Sequence, residues 1–100
     1  MNSSHNTPLR VIAKAYIDGK AVIFETTGRN AQTLIALVKA GDRGVTALEL
    51  SNTWALRLSA YVHTLRHIYK LDIKTQKEQH DGGWHARYVL ISTVEILKIL

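Results

Sequence analysis

The sequence predicts an α+β domain of three helices and a C-terminal β-hairpin, with an extra N-terminal β-hairpin. Three observations carry this. Asp18-Gly19 lies between two short strand-like runs and suits a two-residue turn. Apolar residues recur at helical spacing over 34–38 and 58–69. Residues 71–77 and 84–91 alternate in polarity on either side of a glycine-rich loop.

Residues 1–9 are polar and aperiodic, and read as a flexible arm. In 10–27, Asp-Gly accepts the positive φ angles of a type I′ turn, so a hairpin follows. A helix over 10–16 competes, because Ala and Lys favour helix. Asn30 is the expected N-cap of helix 1, which runs through Leu34, Ile35, Leu37 and Val38 and ends at Gly41. Gly44-Val45-Thr46 reads as extended. Thr46-Ala47-Leu48-Glu49 matches a capping box and opens a short helix 2 through Leu50. Residues 51–53 read as a turn. Helix 3 spans about 55–69, with Leu58, Tyr61, Val62, Leu65 and Ile68 or Tyr69 as its inner stripe. Two strands follow, joined by the loop 79–83. Residues 92–100 form an apolar tail that must pack on the domain, a second copy or another partner. The main domain is then 28–91.

Composition narrows the function. One hundred residues support one domain. With no cysteine, a disulfide framework, a Cys-based zinc site and a thiol nucleophile are excluded. No apolar run has membrane-spanning length, and residues 1–10 lack the apolar core of a signal peptide, so a cytoplasmic protein without membrane contact is expected. The net charge of +5 favours polyanionic partners. From Arg57 to Arg87, six Lys or Arg face three acids, and four of the five histidines lie there. The basic excess therefore falls in the C-terminal half and, less strongly, before residue 30.

Helix, short extended piece, helix, turn, helix, strand, loop, strand is the connectivity of a winged helix-turn-helix. In that arrangement the third helix enters the DNA major groove, and the hairpin loop touches phosphates or the minor groove. The segments Gly28-Arg29-Asn30-Ala31, Ala40-Gly41, Gly44-Val45-Thr46, Arg57-Leu58-Ser59-Ala60-Tyr61-Val62-His63-Thr64-Leu65-Arg66, Leu71-Asp72-Ile73-Lys74-Thr75 and His85-Ala86-Arg87-Tyr88-Val89-Leu90 resemble a family of small uncharacterised bacterial winged helix-turn-helix proteins. The resemblance covers about 28–91, with gaps, and implies a DNA-binding domain. Two departures stand out. Lys70 replaces a glycine often found before the first wing strand, and the turn into helix 3 lacks a clear glycine.

The expected DNA-binding surface is Arg57, Ser59, Ala60, His63, Thr64 and His67 on helix 3, with Lys74, Lys77, His85 and Arg87 on the wing. Arg57 can donate two bonds to a guanine edge, and Ala60 can meet a thymine methyl. Wing cations would clamp phosphate. An ordinary solvated face accounts for the same residues, and Glu78 and Asp81 near the tip repel phosphate. His63 and His67 have the i, i+4 spacing of a helical metal pair, and His80 and His85 could add ligands. However, no Glu follows His63 as in zinc peptidases, so no metal or other cofactor is expected. Ser, His and Asp occur in no recognised catalytic spacing, so an enzyme is not expected. The expectation is therefore duplex-DNA binding in transcriptional control, as a homodimer joined through the N-terminal hairpin and C-terminal tail. The alternative is a module that docks onto a larger protein complex without touching DNA.

Overall fold

The computed structural model describes residues 8–50 and 57–100. Their elements in chain order are β1 (Arg10–Ile17), β2 (Lys20–Thr27), α1 (Gly28–Ala40), a 3₁₀ turn (Gly41–Arg43), β3 (Val45–Thr46), α2 (Leu58–His67), β4 (Ile73–His80), β5 (Gly83–Leu90) and β6 (Val94–Ile99). The strands form two three-stranded antiparallel sheets, ordered β2-β1-β6 and β3-β5-β4.

The N-terminal hairpin turns at Asp18 and Gly19, both at positive φ (53° and 78°), as a type I′ turn requires. Every second residue of β1 (Val11, Ala13, Ala15) is fully buried, whereas Lys14 and Tyr16 face outward. That alternation selects strand over the competing helix. The small alanines let α1 approach the sheet, where Ala31, Leu34 and Leu37 are also fully buried. Each such leucine contributes roughly 1.5–3 kcal/mol by leaving water. Leu58, Val62 and Leu65 of α2 complete the core with Val45, Leu71 and Ile73. Beyond α2, Tyr69 turns inward and packs on Phe24, with ring centres 4.9 Å apart, while Ile68 is 67% exposed.

Three expectations need correction. Asn30 is not the cap of α1. The helix starts at Gly28 directly from β2, with Thr27 as a cap residue making no side-chain bond. Asn30 lies in the first turn, its Oδ1 buried without a hydrogen-bond partner. Second, the described residues hold two helices, not three. The capping box does form: the Thr46 amide donates to Glu49 Oε1 at 3.1 Å, and the Glu49 amide to Thr46 Oγ1 at 3.2 Å. It closes a turn over 47–49, and Glu49 is also held by Arg87 from the wing. The turn expected at 51–53 lies outside the described residues. Third, helix 3 of the sequence is α2, which ends at His67 rather than Tyr69 and among the described residues starts at Leu58, residues 55 and 56 lying outside them.

The apolar C-terminal segment packs on the domain itself. β6 pairs with β1, with a bulge opposite Ile12 and Ala13, and Arg10 and Leu100 exchange backbone bonds in both directions. At the other sheet, Gly44 lets β3 meet β5. A Cβ there would lie 2.6 Å from the Tyr88 carbonyl oxygen and 2.8 Å from Val89 Cγ2. Lys70 adopts φ +62°, the left-handed conformation that glycine takes without strain. It folds the chain back so that the Leu71 amide donates to the Leu65 carbonyl.

Candidate nucleic-acid interface

The inner stripe of α2 leaves a polar outer row. Arg57, Ser59, Ala60, His63 and His67 are exposed, and Thr64 is half-buried with its hydroxyl donating to the Ala60 carbonyl at 3.3 Å. No acid lies on this helix. Arg57 has no ion-pair partner among the described residues. The His63 and His67 rings lie 4.1 Å apart, one helical turn from each other. Arg66, which the sequence reading left out of the surface, anchors the helix to β4 by donating to the Ile73 carbonyl and to Thr75 Oγ1.

The register of β4 with β5 sorts the wing residues into two faces, because opposed residues point the same way. Ile73, Thr75, Lys77 and Gln79 share one face with Leu90, Tyr88, Ala86 and Trp84. Its inner end joins the core, and its outer end carries Lys77 over the Trp84 ring at 4.7 Å. Through Arg66 and Thr75 this is the face toward α2. Lys74, Gln76, Glu78 and His80 share the other face with Val89, Arg87 and His85. The expected wing residues are thus split: Lys77 lies on the side of α2, while Lys74, His85 and Arg87 lie on the opposite side.

Lys74 and Lys77 are exposed, but His85 and Arg87 are built into the fold. Arg87 Nε donates to Glu78 Oε2 at 2.6 Å, and its Nη1 and Nη2 reach Glu49 and the Arg43 carbonyl at 3.1–3.3 Å. His85 Nε2 bonds Glu78 Oε1 at 2.9 Å. The hydrogen bond from Arg87 holds the Glu78 carboxyl below its ordinary range, overcoming burial, with help from His85. The same bond raises Arg87. Burial opposes ionisation of Glu49, but the Thr46 amide and Arg87 prevail and lower it. The two acids that complete this network were not legible as partners in the sequence. Only the cross-strand pairing of Glu78 with His85 signals it, and that needs the register.

The arrangement offers a rigid helix with an acid-free outer row beside an exposed aromatic and a lysine. Among the described residues no group of three or more His, Asp or Glu side chains converges on a metal position, and no helix is long and apolar enough to cross a membrane. No curated protein and no solved structure gives a significant match to the chain. A family model described as a winged helix domain matches residues 23–99. The match spans both helices, β3, the β4–β5 hairpin and β6. The chain belongs to the winged helix domain family.

Proposed function

We propose that this winged helix domain binds double-stranded DNA in transcriptional control, with the outer row of α2 in the major groove and the wing against neighbouring phosphates. One observation carries the reading. α2 presents Arg57, Ser59, Ala60, His63 and His67 to solvent with no carboxylate among them. Short side chains at Ser59 and Ala60 let the helix backbone approach base edges, and Arg57 at the helix start is placed to meet a phosphate or a guanine. Lys77 and Trp84 add a cation and a stacking surface on the same side.

The test is duplex binding by fluorescence anisotropy across a salt series, beside a selection from random duplexes. Counterion release gives log K a slope of about −0.9 per phosphate neutralised, so three contacts give a slope near −3. Binding that is weak and nearly flat with salt overturns the reading. It would favour the second one, docking onto a protein partner without DNA contact. That alternative draws on the wing network, in which Glu49 and Glu78 occupy the guanidinium of Arg87.

A homodimer forms part of the same proposal. β2 and β6 are the two edges of their sheet. Exposed Ile23 on one edge and Leu97 and Ile99 on the other supply apolar contact for a second copy. A monomeric mass in light scattering at micromolar concentration removes the dimer.

A further inference from the structure

The end of the wing holds two histidines whose ring nitrogens are sorted by their neighbours. His85 Nε2 faces Glu78 Oε1 at 2.9 Å, and a carboxylate oxygen accepts, so this contact places a proton on Nε2. Its Nδ1 then bears the lone pair, and it is buried without a hydrogen-bond partner. His80 Nδ1 lies 3.0 Å from the Asp81 carbonyl, which also only accepts, leaving the lone pair on Nε2. A carboxylate or carbonyl behind an imidazole is the usual outer support of a metal-ligating histidine.

We propose that His80 and His85 together bind a divalent transition ion of the zinc, nickel or copper class at the wing tip. Both lie on one face of the hairpin, diagonal to each other across the β4–β5 register. Their ring centres are 5.0 Å apart. An ion about 2.0–2.1 Å from each donor nitrogen, with the two bonds at 90–110°, sets ring centres roughly 4.5–5.2 Å apart. The wing pair fits this interval. The His63–His67 pair, at 4.1 Å, falls short of it, and no described hydrogen bond orients either ring. Imidazole donors suit zinc, copper and nickel rather than magnesium or calcium.

Two protein ligands leave the remaining coordination positions to water or an incoming oxygen. At this end of the wing Arg87 and Lys77 balance Glu78 and Asp81, so a bound dication would make the tip positive and offer an open position to an anionic oxygen. His80 and His85 lie on the face of the hairpin away from α2, so metal binding here is independent of the helix's outer row.

The experiment tests the metal site apart from the DNA reading. Zinc or nickel is titrated by calorimetry into the full chain without DNA, with circular dichroism to confirm folding of each variant. One ion is expected to bind the wild type. Loss of one donor breaks the chelate, so His80→Gln or His85→Ala should weaken binding by about a hundredfold. His80 is exposed, so His80→Gln tests the site even where His85→Ala disturbs the hairpin. A His63→Ala/His67→Ala double variant should bind as the wild type does. Absence of binding, or loss in the double variant with retention in His80→Gln, overturns the proposal. Zinc binding by a protein that binds no duplex leaves the metal site standing and removes only the DNA reading.

Discussion

Arg87 Nη1 stands 3.2 Å from Glu49 Oε1, across 38 residues of chain, and so ties the wing to the capped turn that follows β3. The same guanidinium bonds the Arg43 carbonyl at the far side of β3. Removing it unfastens β5 from both sides of that short strand. Arg87→Ala should speed amide exchange at Val45, Thr46 and Tyr88 while leaving β1 and β2 unchanged. Uniform exchange across both sheets would show that the brace is not local.

Gly44 should tolerate no side chain. An added methyl meets backbone at 2.6 Å, and φ of +71° is strained for any L-residue. Gly44→Ala should cost about 2–5 kcal/mol, combining left-handed strain with overpacking. Urea denaturation measures it, and a loss under 1 kcal/mol would refute the close approach of β3 to β5.

Lys70 gives the opposite case. It holds φ +62° with a side chain that is exposed. Lys70→Gly should stabilise the fold by up to about 1 kcal/mol, relief of strain exceeding the added unfolded-state entropy. Lys70→Ala, which keeps the strain, should give no gain.

Acid should weaken the fold through its paired carboxylates. The hydrogen bond from Arg10 lowers Glu25, and Glu49 is lowered by the Thr46 amide and Arg87 against the opposing effect of burial. A carboxyl lowered in the folded state binds fewer protons there than in the unfolded chain. Its contribution is therefore complete above the ordinary glutamate value of 4.5 and fades as pH falls through the lower folded value. The stability difference between wild type and Glu49→Gln should be largest near neutrality and shrink below about pH 4. A difference that stays constant with pH would exclude the ionised pair.

On the proposed interface, Arg57→Ala should weaken duplex binding and, where Arg57 meets phosphate, reduce the salt slope by about one. Arg66→Ala should instead lower stability, because its donors serve β4. If Arg66→Ala lowers affinity at full stability and Arg57→Ala does not, α2 is turned the other way.

Local chemistry explains what could be read from the chain alone. Asp18-Gly19 specifies a turn within two residues, and Leu58, Val62 and Leu65 mark a buried helical stripe, so both were legible. β6 was not. Its bulge interrupts the period of two, and its partner β1 lies at the other end of the sequence. The cap of α1 was misplaced at Asn30 because β2 runs into the helix without the polar linker that a capping residue usually follows. At the wing, the cationic character of Arg87 was plain in the sequence. Its engagement with Glu49 and Glu78 depends on pairing among β3, β4 and β5, which no local pattern encodes.

The mutual backbone bonds of Arg10 and Leu100 bear on how the chain acquires its shape. β6 reaches its partner β1 only after every other described element has intervened in the chain. A lone two-stranded ribbon is marginal in water, so the β1–β2 hairpin gains its third strand only through this long-range closure. Pairing at such separation slows folding and leaves the open edge of the unclosed ribbon exposed to other copies.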